Sequence, residues 1–132
     1  MKKHKIATGT LVAVGQALTS SYVAFGGVIS ASGYDLLSLL INYTKGDETN
    51  LDFKVQFSDT IDFTTAYERI ITSTDATGVS DCLTNTFKRT STGAIEVPVN
   101  LRGHYLKVLF KATGGTPTGT FGAAYRLENV ER

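Results

Sequence analysis

With 132 residues the chain has the length of one domain with a buried core, and with 42% apolar and 19% charged residues it does not have the composition of a disordered polymer. A formal net charge of +1 removes any general electrostatic case for nucleic acid or an anionic membrane as partner. The single cysteine, Cys82, excludes an internal disulfide and fits synthesis in a reducing cytoplasm, and no Cys/His spacing points to zinc.

The chain opens on Lys2, Lys3, His4 and Lys5, ahead of the apolar stretch Ile6 to Val14. The combination imitates a secretory signal, but two threonines and a glycine within the stretch make a poor signal core. No run approaches the roughly 18 to 20 apolar residues that a membrane helix needs. Residues 1–10 therefore read as a basic N-terminal arm leading into a first strand, and residues 11–132 as a single β-sandwich domain.

Period-two alternation dominates the remainder of the chain. Leu36 to Tyr43 is the most apolar run, with Leu37, Leu39, Ile41 and Tyr43 on one face and Leu36 and Leu40 on the other. A strand apolar on both faces is either covered or meets another chain. Leu51, Phe53, Val55 and Phe57 alternate with Asp52, Lys54, Gln56 and Ser58. The loop Lys45 to Asn50 lies between these two runs, so residues 36–58 read as a hairpin. Asp59 to Arg69 has room for one helical turn around Thr65 to Glu68. Later, Leu106, Val108 and Phe110 share a face while Lys107 and Lys111 flank Leu109 on the other; Phe121, Ala123, Tyr125 and Leu127 repeat the pattern. The segment Gly114 to Gly119 joins these last two strands, its glycines suited to positive φ and Pro117 to ending a ladder. The runs predict eight or nine strands, at 5–14, 21–30, 36–45, 50–58, 67–73, 82–89, 94–99, 104–113 and 119–130. Short strands between Gly-rich turns predict an all-β sandwich, jelly roll or barrel.

Reactive chemistry has little to stand on. His104 follows Gly103 at the start of a strand, with no nucleophile or carboxylate placed beside it by any motif. Asp47, Glu48 and Asp52, and Asp59 with Asp62, lack the spacing of a calcium loop and read as turn residues. Gly26-Gly27 and Gly114-Gly115 match no phosphate-binding loop. Cys82 reads as a small half-buried packing residue. No catalytic residue, cofactor or metal is predicted.

The run from Leu39 to Thr49, followed by the alternating Leu51 to Ser58, resembles a hairpin of small virion proteins of tailed bacteriophages. Tyr105 to Val108 and Lys111 to Gly119 are similar in the same way. The resemblance implies a non-enzymatic β-sandwich or jelly-roll component of the virion, made in the host cytoplasm, such as a capsid decoration (auxiliary or cement) protein. Its partner would be the major capsid protein or another virion protein, and by analogy it would form a homo-oligomer with threefold symmetry. On that reading Lys2, Lys3, His4 and Lys5 are a candidate docking arm, and Leu36, Leu40, Tyr22, Phe25 and Tyr34 a candidate subunit contact. The alternatives are a carbohydrate- or receptor-binding module, and a head–tail connector or tail component.

Overall fold

A strand that alternates apolar and polar residues has one dry face, and two sheets of such strands hide those faces by packing against each other. The computed structural model describes residues 4–68, 70–74, 80–84, 86–101 and 104–130. Among them the chain forms β1 (His4–Ala17), β2 (Ile29–Ser30), β3 (Leu36–Thr44), β4 (Asn50–Ser58), β5 (Tyr67–Glu68), β6 (Ile70–Thr74), β7 (Ser80–Thr84), β8 (Thr86–Arg89), β9 (Gly93–Asn100), β10 (Tyr105–Thr113) and β11 (Thr120–Val130). The described residues contain no helix.

The first sheet has the order β1-β11-β3-β9. The second has the order β2-β10-β4, and β5 and β8 share the far side of β4: β8 pairs with Leu51 to Lys54, β5 with Gln56 and Phe57. Both sheets are thus four positions wide, and every pairing is antiparallel. Strands β6 and β7 form a hairpin of their own. The chain is an all-β sandwich, as its alternation predicts.

The predicted inward faces are the observed ones. Leu37, Leu39, Ile41 and Tyr43 of β3 are buried against Leu51, Phe53, Val55 and Phe57 of β4, Leu106, Val108 and Phe110 of β10, and Phe121, Ala123 and Leu127 of β11. Aromatic rings run through the layer interface: Phe87 stacks on Phe53 at 5.2 Å, Phe53 meets Phe110 at 6.0 Å, Phe110 meets Phe121 at 4.6 Å, and Phe25 meets Phe121 edge-on at 5.5 Å. Contacts of this kind add about 0.5–1.5 kcal/mol each beyond simple burial.

Four expectations are corrected. Residues 36–58 are not a hairpin: β3 pairs with β11 and β9, β4 pairs with β10, and the loop between them crosses from one sheet to the other. The dry faces of β3 and β4 look at each other across the core, so the connection spans the roughly 10 Å between layers rather than the ~5 Å between paired strands. The segment 114–119 crosses in the same way between β10 and β11. The predicted strand at 21–30 shrinks to a bridge, Val23 to Phe110, and the two residues of β2, because a turn closed by Gly27 N–H to Ala24 C=O interrupts it. No helical turn forms at Thr65 to Glu68; Tyr67 and Glu68 pair with β4 instead. The residues expected as single strands at 67–73 and 82–89 have two sets of partners: β5 and β8 pair with β4, whereas β6 and β7 pair with each other. Gly78, Gly103, Lys2 and Lys3 lie outside the described residues.

Candidate functional site

The most unusual side chain is Glu48, which sits on the loop between β3 and β4 and is 0% exposed. Its Oε2 accepts hydrogen bonds from the Tyr43 hydroxyl and the Gly46 N–H, both at 2.6 Å, and its Oε1 accepts the Gly119 N–H at 2.7 Å. Burial pushes the Glu48 carboxyl up, but the Tyr43 hydroxyl and the Gly46 and Gly119 N–H groups outweigh it and hold the carboxyl below its ordinary value. Burial, then the bonded carboxylate itself, push the Tyr43 phenol above its ordinary value. The two loops meet again where Asp47 N–H donates to Thr118 Oγ1 at 2.8 Å. Gly119 is required here, since a side chain would run into the Glu48 carboxylate and the Thr44 carbonyl. Glu48 is therefore a buried tie between the two sheet-crossing loops, sealed from substrate.

Two other acids of these turns are also engaged locally. Asp52 accepts from Asn50 Nδ2 at 2.5 Å and from the Thr113 hydroxyl, and Asp62 accepts from the N–H and hydroxyl of Thr64 at 3.2 and 2.6 Å. Among the described residues no group of His, Cys, Asp and Glu is arranged to hold a metal ion.

What the fold offers to other molecules is its two outer faces. On the first sheet, cross-strand registry lines up Thr10, Ala124, Leu40 and Glu96 in one row, and Gly122, Asn42 and Ala94 in the next. Two register shifts in β1, after Thr10 and after Val12, turn Leu11 and Val12 into the core and carry Val14 over Gly122. The centre of this face is small, flat and nearly uncharged, with Leu40 43% and Val14 80% exposed. Shallow grooves of about 260 and 250 Å³ run on either side of Leu40 and Asn42. Charges gather toward one end, where Arg126 bridges Glu128 at 2.8 Å near the 48%-exposed Ile6.

The second sheet's outer face is different. Lys107, Leu109 and Lys111 of β10 lie beside Gln56, Lys54 and Asp52 of β4, and Lys88 of β8 stands opposite Asp52. The Val23–Phe110 bridge sets Tyr22 next to Lys111. Lys54 and Lys111 both lie over the Tyr22 ring, at 4.5 and 4.7 Å from its centre, and Lys107 lies over Phe63 at 4.5 Å.

The sandwich has a known counterpart. The crystal structure of the SPBc2 prophage-derived protein YomS superposes with a TM-score of 0.52 over 96% of both chains, at 13% identity, which shows a shared fold. A protein of Bacillus endospore appendages, which form a family of disulfide-linked pili, covers the whole chain and 88% of its own at a TM-score of 0.42 and 10% identity, and is too distant to argue from. PirA is more distant still, with a TM-score of 0.34 and 8% identity over 97% of this chain and 93% of its own. No protein-family model and no curated protein matches the sequence.

The residues singled out in the sequence do not form one surface. Leu36 and Leu40 lie on the outer face of the first sheet, whereas Tyr22 lies on that of the second. Phe25 and Tyr34 pack against the core. Lys5 reaches over the Tyr34 ring at 5.0 Å. From His4 onward the basic segment is strand, with His4 opposite Val130 and Lys5 opposite Asn129. Cys82 stands opposite Thr72 in the β6–β7 hairpin, and the exposed His104 contributes its carbonyl to the N–H of Ala31. Two features escape the sequence pattern: Glu48 as a buried tie, and Tyr22 as a ring shared by two lysines. An acid shortly after a Tyr-Thr strand end was a faint sign of the first; the second depends on a bridge that no local pattern announces.

Proposed function

We propose that this chain is a non-enzymatic structural component of a phage particle, in its most specific form a capsid decoration protein that docks on the head shell. The strand order carries the reading. Two antiparallel sheets in the orders β1-β11-β3-β9 and β2-β10-β4 with β5 and β8 support a jelly-roll reading, an architecture used by viral capsid and lectin domains. The prophage origin of YomS, which shares the fold, supports it. Architecture alone does not assign a role, so the faces supply the mechanism. The nearly uncharged centre around Leu40 and Asn42 suits a broad contact with little desolvation cost. Stable specific contacts bury on the order of 1,200–2,000 Å² in total, and many copies on a shell act together.

The test is the composition of purified particles from the phage or prophage that encodes the chain. Quantitative mass spectrometry of intact particles, and of heads separated from tails, should find the chain in hundreds of copies on the head fraction. Copy numbers in the tens on the tail fraction would move it to a connector or tail position. Its absence from particles would overturn the virion reading. Native mass across a concentration series then shows whether a closed oligomer exists before docking.

A further inference from the structure

We infer that residues 4–10 of β1 are an open sheet edge that pairs with the same edge of a second copy of this chain, antiparallel, about a two-fold axis at Ala7. An edge strand carries a row of backbone N–H and C=O groups with no ladder partner, and sheets protect their edges by shortening, covering or interrupting them. Three of the four edges in the two packed sheets are treated in this way. On β9, Pro98 removes a donor. The strand β2 is two residues long, and β5 and β8, which share the last edge, have two and four.

The exception is β1. It is 14 residues long and ends the order β1-β11-β3-β9. From His4 opposite Val130 to Thr10 opposite Ala124 its register is unbroken. Among the described residues, no backbone hydrogen bond reaches this segment from outside the β1–β11 ladder, and Lys5, Ile6, Thr8 and Thr10 are exposed. The segment contains no proline. Its lysine, a residue type that guards edges, is drawn over the Tyr34 ring at 5.0 Å. Beyond Thr10 the edge closes. The register shifts there, and Gly26 lies so near that a Cβ on it would come 2.7 Å from the Leu11 carbonyl oxygen.

The segment is complementary to itself. A two-fold axis perpendicular to the sheet requires paired residues to share a face, and an axis at Ala7 meets this while using the whole of residues 4–10. Ile6 then stands opposite Thr8 of the second copy, and Lys5 opposite Gly9. Gly9 is bare because the Tyr125 hydroxyl lies 2.6 Å from where its Cβ would be. Lysine therefore meets glycine, whereas an in-register parallel pairing would set Lys5 beside Lys5. Ile6, 48% exposed, is covered by Thr8 and, diagonally, by Ile6 of the second copy. The pairing spans about 23 Å and closes about six to eight hydrogen bonds. It joins two four-stranded sheets into one continuous sheet. So narrow a contact makes a dimer that dissociates on dilution. The inference rests on the edge of β1 and stands whether or not the chain belongs to a virion.

The experiment is sedimentation velocity of the full chain up to about 1 mM, the weak end of specific association, with amide hydrogen exchange at low and high concentration. A dimer should appear as concentration rises, and alternate amides between His4 and Thr10 should gain at least tenfold protection. Thr8→Lys sets a charge against Ile6 of the second copy and should weaken the dimer at least tenfold, while melting within a few degrees of the parent because Thr8 is exposed. Leu40→Glu, on the outer face of the first sheet, should leave this dimer intact. In a Cys82→Ser background, Ala7→Cys should oxidise to a linked dimer at least tenfold faster than Thr10→Cys, since only the residue on the axis meets its own copy. A monomer at every concentration, a dimer indifferent to Thr8→Lys or lost in Leu40→Glu, or equal rates of cross-linking would overturn the inference.

Discussion

The two outer faces of this sandwich were built by one rule and came out opposite in character. Midway along β3 and β11 the outward positions are Leu40, Asn42, Gly122 and Ala124; on β4 and β10 they are Asp52, Lys54, Gln56, Lys107, Leu109 and Lys111. The inward positions of the same strands are interchangeable in kind, all aliphatic or aromatic. Inward residues answer to packing density, so hydrophobic size is nearly all that matters there. Outward residues are held less tightly by the fold, which leaves their chemistry open to partners. A centre of small residues with few charges suits broad contact, whereas the other face carries long charged side chains over an aromatic ring.

That contrast holds only while both faces hang on one core. Phe110 lies between the layers, touching Phe53 and Phe121. Phe110→Ala should cost about 3–5 kcal/mol, read by chemical denaturation, and both faces should be lost in one transition. Separate transitions would show that the sheets are more independent than their shared core implies.

The next largest effect is expected at the tie between the sheet-crossing loops. Glu48→Ala leaves the Tyr43 hydroxyl and the Gly46 and Gly119 N–H groups without an acceptor, at a cost of about 2–4 kcal/mol. Glu48→Gln retains acceptor oxygen and should cost less. The pH dependence has a definite sign. The folded carboxyl titrates below its ordinary value, so its stabilisation is complete above the unfolded value of about 4.3. It is lost as pH falls through the folded value. Melting temperature should drop on acidification below about pH 4, and drop less steeply in Glu48→Gln. Identical slopes would remove Glu48 from the acid response.

Smaller stability effects sharpen the contrast between faces. Leu40→Glu should change stability by under about 0.5 kcal/mol, yet abolish self-association or particle docking if the first face is the broad contact. Unchanged assembly in this variant would relocate that contact. At the N-terminal end, Lys5→Ala should cost about 0.5–1 kcal/mol through the Tyr34 ring contact. Deleting residues 1–5 should leave the domain folded, and unchanged occupancy on particles would end the idea of a docking arm.

Alternation was enough to identify which residues of β3, β4, β10 and β11 face inward, because side chains on a strand have a strict period of two. It was also enough to predict an all-β sandwich from short strands and glycine-rich breaks. Pairing was another matter. The segment Lys45 to Asn50 reads equally well as a hairpin turn or as a crossing between layers, since both need polar residues and a glycine. Only the choice of β11 and β9 as partners for β3, and β10 for β4, settles it. Those partners lie far away along the chain, and local pattern does not encode which of several compatible dry faces will meet. The same holds for the surfaces: the lysines of β4 and β10 were visible as outward residues, but their convergence on Tyr22 required a bridge from Val23 to Phe110. Residue order alone was sufficient for β3, β4, β10 and β11 and for the dry side of each. Which strands are neighbours, and hence which outward side chains share a face, was chosen in the folded molecule. The reason is physical: facing is set by local backbone geometry, while neighbourhood is set by long-range packing that many alternating strands satisfy equally well.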